Sequence, residues 1–127
     1  MNLALWIAAG ILATVALAGG ASKTFVPTEK LAAQPGGQWT EQAGTGAVRT
    51  LGILELLAAI GLILPAALDI APIMVPVTAT CWIVLMLGAM ITHRRFGEYP
   101  FMALNFAYLL LAAFIAWGRF VAEPFAG

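Results

Sequence analysis

Four apolar runs, each near the length of about 20 residues that a bilayer-crossing helix needs, alternate with short polar interruptions. The first, Leu3 to Ala21, carries no charge. Lys23 follows it, where a long cationic side chain can snorkel to the head groups, and Pro27 ends the helix. Thr28 to Thr45 is the one sizeable polar stretch, broken by Pro35-Gly36-Gly37. Its Leu31 and Trp39 suit the head-group level, and Thr28 followed by Glu29 suits the start of a short interfacial helix. The stretch reads as a connection, with a lid over that membrane face as the sharper alternative. The second helix starts near Gly46 and is closed by Pro65. The third opens at Ile70–Pro72, is kinked or loosened at Pro76, and reaches Thr92. Pro100 opens the fourth, which runs to about Trp117. The expected spans are 3–26, 46–64, 71–92 and 100–118, with the polar connection at 27–45. The fold class is therefore all-α, a four-helix antiparallel transmembrane bundle forming a single membrane domain over 1–127.

Composition agrees. Hydrophobic residues make up 62% of the chain and charged residues 9%, where an ordinary soluble domain carries roughly 25% charge. A chain of 127 residues cannot hide that much apolar surface from water, so its solvent is lipid. Six basic and six acidic residues cancel, which excludes a nucleic-acid footprint. Cys81 is the only cysteine. One thiol forms neither an internal disulfide nor a Cys-x-x-Cys pair, which excludes a thiol enzyme of the vitamin-K-epoxide-reductase type. No grouping of residues suggests a metal site. Ala16-Leu17-Ala18 resembles a signal-peptidase site, but no Lys or Arg precedes the run, and secretory signals start positively. The first run is expected to stay as a membrane helix.

Charge placement sets the expected orientation. With four crossings, Lys23, Lys30, Arg49, Arg94 and Arg95 share one face, and Arg119 lies at the other. Cationic loops stay in the cytoplasm, so both termini are expected outside it, in a bacterial inner membrane.

Glu55 lies within Gly52 to Leu62 as the one carboxylate deep in an apolar run. A charge at that depth costs at least ~2.5–3.5 kcal/mol on insertion scales, so it needs a partner or a proton. At 1.5 Å per residue it sits roughly 13 Å below the cationic face, and Asn105 on the fourth helix roughly 10 Å below it. Arg49, six residues earlier, is off the helical face of Glu55 by i,i+4 spacing. Partners are expected from other helices: Lys23, His93, Arg95 or Asn105. Arg94 and Lys30 read as topology anchors. An Asn in a membrane helix often bridges helices.

These residues also carry a resemblance. Gly20-x-x-Lys23, Gly52-x-x-Glu55-Leu56 with Gly61-Leu62-x-Leu64, and Met86-Leu87-Gly88-Ala89 leading to Thr92-His93-x-Arg95-x-Gly97-Glu98 resemble the DoxX-like family in order and spacing. The resemblance implies a four-helix integral membrane bundle. The family's naming member is the small membrane subunit of a thiosulfate:quinone oxidoreductase, other relatives accompany membrane oxidoreductase complexes, and distant ones serve receptor assembly or cargo handling.

The expected function is an accessory membrane subunit with a one-sided polar pocket around Glu55 for a quinone or lipid-like ligand. Lys23, Arg49, His93, Arg95, Glu98, Asn105 and Tyr108 are the other candidate binding residues. No catalytic residue and no intrinsic cofactor are expected. Electrons would come from a membrane-associated oxidoreductase partner, since no side chain here carries them. The lipid bilayer and further copies of the chain are the remaining expected partners. Two other readings stay open. One is a non-catalytic scaffold in which Glu55 forms a structural ion pair with Lys23 or Arg95. The other is a small proton-coupled transporter, although small multidrug transporters carry their glutamate in the first helix.

Overall fold

The computed structural model describes residues 1–125. Six α-helices follow one another: α1 (Asn2–Phe25), α2 (Thr28–Ala32), α3 (Trp39–Ala43), α4 (Thr45–Ala67), α5 (Met74–Arg95) and α6 (Tyr99–Trp117). A π-helical turn, Gly118–Ala122, extends α6. With that turn included, the four long helices have 24, 23, 22 and 24 residues. At 1.5 Å per residue they reach ~33–36 Å, enough to cross a hydrocarbon layer of about 30 Å.

Helix ends depart from the sequence expectations where proline was given too much authority. Pro65 lies inside α4, which continues to Ala67. A proline removes its own N–H bond and crowds the carbonyl four residues back, and this one falls in the last turn, where only Ala66 and Ala67 follow it. Ile70–Pro72 are not helical, because Asp69 (φ 54°) and Ala71 (φ 46°) take left-handed conformations. The helix starts instead at Met74, which places Pro76 in its first turn. There a proline ring meets no preceding helical carbonyl, so Pro76 is accommodated rather than disruptive. At its other end α5 runs through His93 and Arg94 to Arg95, beyond the expected stop at Thr92.

Lipid offers apolar helices no hydrophobic reason to associate, so close packing through small residues must hold them. α1 lies closest to α4. A Cβ added at Gly20 would come within 2.8 Å of the Gly52 carbonyl oxygen, and one at Gly52 within 2.9 Å of the Gly20 oxygen. α5 pairs as extensively with α6. The two pairs join mainly at one end, where Gly61 of α4 meets Thr78 of α5 and Gly118 meets Leu5 of α1. The core fills that end with Ala8, Ala9, Leu12 and Ala16 of α1, Leu62, then Val75 and Ala79 of α5, and Ala112, Ile115 and Ala116 of α6. At the opposite end, where α1 and α5 finish and α4 and α6 start, the pairs stand apart. The strap formed by α2 and α3 crosses that end.

Candidate functional site

A cavity of about 740 Å³ occupies the open end of the bundle. Its polar side chains come from separate helices, each placed by a local feature of the sequence. Glu55 of α4 is 5% exposed. Its carboxylate fits a notch at Gly19, where a Cβ would stand 2.9 Å from Glu55 Oε1. Lys23 lies one turn beyond Gly19 on the same face of α1. Helix side chains lean toward the N-terminus, so Lys23 folds back across Gly19, and Nζ meets Glu55 Oε2 at 2.9 Å. The expected snorkelling is thus reversed, because the ammonium turns inward to a carboxylate.

His93 enters the same space from α5. Gly97, at φ 70°, ends that helix in a Schellman motif, with Glu98 N–H donating to the His93 carbonyl and Gly97 N–H to that of Arg94. The turn carries the Glu98 side chain back to His93, with Oε1 3.0 Å from Nδ1. Phe101 stacks on the imidazole with centroids 5.6 Å apart. Glu98 engages Nδ1, which leaves Nε2 for a ligand. Asn105 and Tyr108 line the α6 wall, and neither makes a side-chain hydrogen bond among the described residues. Trp82, about 16 Å below His93 along α5, lines the inner end, and its buried Nε1 has no partner among the described residues.

The strap covers the outer end. Leu31 and Thr40 are buried in it, and Gly36 packs against the Phe101 ring. The Thr28 and Thr45 hydroxyls, 3.0 Å apart, fasten its two ends together. Leu31, Trp39 and Thr40 line the cavity, so the strap lies as a lid rather than as a loose connection. The short helix at Thr28 with Glu29 in its first turn is formed as expected. α3 was not foreseen.

The sides are less closed. Residues seven apart on a helix point within about 20° of each other. Leu54 precedes Gly61 by seven residues yet is 52% exposed, so α4 and α5 diverge above their contact at Gly61. Leu85 and Thr92 repeat the stripe of Thr78 and line the cavity, flanked by the exposed Val84 and Gly88. On the other side Leu104, two heptads before Gly118, also lines the cavity and is 45% exposed. The cavity therefore runs along the seam between the helix pairs and reaches the lipid-facing surface.

Of the expected site residues, Lys23, Glu55, His93, Asn105 and Tyr108 line this cavity. Glu98 acts at one remove, through His93. Arg49 does not face it, because its guanidinium donates to the Lys23 and Val26 carbonyls, both at 2.7 Å, and caps α1. Arg95 is exposed at the end of α5 and is not the partner of Glu55. Sequence reasoning missed Gly19, Trp82 and Phe101. The spacing of Gly19 from Lys23 carried a signal, while Trp82 and Phe101 sit in ordinary apolar surroundings.

The arrangement offers a Lys23 ammonium paired with Glu55 and a His93 imidazole held by Glu98 beside apolar walls, and suits a small polar head on a lipophilic body. No curated protein and no solved structure matches the chain. The model of the DoxX-like family matches residues 7–115, spanning the notch at Gly19, the Lys23–Glu55 pair, the His93–Glu98 turn and all four crossings. The chain belongs to the DoxX-like family and is an integral membrane protein.

Proposed function

We propose that the protein is an accessory membrane subunit that holds the head group of a quinone or similar lipid-soluble molecule in the cavity beneath the strap. One observation carries the reading: an apolar cavity of about 740 Å³ into which a Lys23–Glu55 pair and a Glu98-held His93 project from different helices. That volume lies within the roughly 300–1,000 Å³ of small-molecule sites, which are mostly apolar with a few placed polar groups. Lys23 Nζ donates to a carbonyl oxygen. His93 Nε2 accepts from a hydroxyl when the ring is neutral and donates to a carbonyl when it is protonated, so it serves both the oxidised and the reduced head group. Reduction takes two electrons and two protons. The electrons come from a separate redox protein, and Glu55 and His93 are the protonatable groups beside the head. The cationic strap end faces the cytoplasm in this reading, and the redox partner approaches there.

Mass spectrometry of lipids and quinones copurified from native membranes tests the proposal. The wild-type protein retains an enriched quinone or quinone-like lipid, and Glu55→Gln remains monodisperse but loses it. A second reading takes the closed 2.9 Å contact between Lys23 and Glu55 as a structural ion pair in a scaffold subunit. That reading gains if no ligand is enriched and Glu55→Gln simply fails to accumulate.

A further inference from the structure

Gly88 stands where the seam between α4 and α5 meets the lipid-facing surface. It lines the cavity, is exposed, and a Cβ built on it meets no atom within 4 Å. The four cavity-facing glycines divide sharply. At Gly19, Gly36 and Gly37 an added Cβ collides with protein atoms, so packing accounts for them. At Gly88 the missing side chain leaves open space that no neighbour uses. Gly88 lies seven residues, about 10 Å, below Arg95, at a depth where hydrocarbon chains reach the protein. Val84, one turn deeper and 67% exposed, continues the same edge. On the opposite side of the seam, Ser22 and Leu104 present side chains at the corresponding edge.

We infer that the gap at Gly88 is a lateral portal between α4 and α5, through which the ligand enters from the bilayer and leaves its tail. The inference rests on the ligand-binding reading above and narrows the ligand class. The open space at Gly88 gives the tail its exit, so the ligand is an amphiphile with its head at Lys23 and His93 and its hydrocarbon chain at Gly88. Gly88 sets specificity for the tail and takes no part in holding the head.

The test uses the full chain in lipid nanodiscs, with Trp6 and Trp117 changed to Phe so that emission comes from Trp39 and Trp82 of the cavity. Three quenching probes are titrated: a decyl-substituted benzoquinone, the same benzoquinone without its chain, and a single-chain fatty alcohol carrying a nitroxide. Gly88→Phe is expected to raise the half-quenching concentration of the decyl probe about tenfold or more, the scale on which a filled apolar pocket rejects a misfit. The chain-free probe stays within about twofold of wild type, a change too small for a lost contact. Leu87→Phe, on the same helix but outside the cavity, changes none of the three. Equal weakening of both benzoquinones by Gly88→Phe, or of neither, overturns the portal. If the benzoquinones fail to quench wild type but the fatty alcohol does so with the same dependence on Gly88, the portal stands and the quinone reading falls. If the alcohol quenches wild type and Gly88→Phe alike, the portal falls by itself. If no probe quenches, both fall.

Discussion

Lys23 Nζ and Glu55 Oε2 hold each other at 2.9 Å between α1 and α4. With 24% and 7% of their side chains exposed, both have given up most of their contact with solvent. Removing one partner of a buried pair leaves an uncompensated group, whereas removing both restores an apolar match. Lys23→Met is therefore expected to destabilise the bundle by roughly 1–3 kcal/mol. The double variant Lys23→Met/Glu55→Gln should recover most of that loss. Thermal unfolding of the four proteins in one detergent measures it, and a double variant less stable than either single one would contradict the pairing. Glu55 was legible in the sequence because a lone carboxylate in an apolar helix demands a partner. Which cation answers it was not legible. Lys23 and Arg95 are equivalent on a hydropathy trace, and they separate only through two local facts: the glycine beneath Lys23 and the outward position of Arg95.

At the scale of helices, the contact of α1 with α4 depends on two glycines that face each other. A Cβ at Gly52 would lie 2.5 Å from Thr24 Oγ1 and 2.7 Å from the Thr24 nitrogen. Gly52→Val is thus expected to push α1 away and cost about 1–3 kcal/mol, as overpacking does. Gly10→Val, where nothing lies within 4 Å, should cost much less, and unfolding in detergent compares the two. The strap is held more lightly. Gly36 has φ 78°, and an added Cβ there would meet the Phe101 ring at 2.7 Å. Gly36→Ala should lift the strap and speed tryptic cleavage at the exposed Lys30, without loss of the four long helices. Unchanged cleavage would mean that the strap does not rest on Phe101. The four crossings were readable because apolar runs of spanning length have few other structures available to them. Their ends were not, since Pro65 and Pro76 act according to their position within a helical turn, which only the finished helix defines.

Across the whole molecule the two ends of the bundle differ in both packing and charge, and the structure sharpens the count on which orientation depends. Of the five cations expected at the strap end, Lys23 turns inward and Arg49 caps α1. Lys30, Arg94 and Arg95 remain exposed there. At the other end Arg119 is 3% exposed, donates to the Asn2 Oδ1 at 2.8 Å and stacks over Phe125, so it is withdrawn as a topology signal. Among the described residues, three free Lys and Arg side chains against none preserve the asymmetry, and cationic loops are kept in the cytoplasm. With Cys81 changed to Ser, a membrane-impermeant maleimide is expected to label Leu68→Cys, on the turn between α4 and α5, in intact cells. Gln38→Cys, on the strap, should label only after lysis. Replacing Lys30, Arg94 and Arg95 together with Gln should erode that difference, because no free cation would then distinguish the two ends. Labelling of Gln38→Cys in intact cells would reverse the orientation and move the redox partner of the proposed site to the opposite side of the membrane.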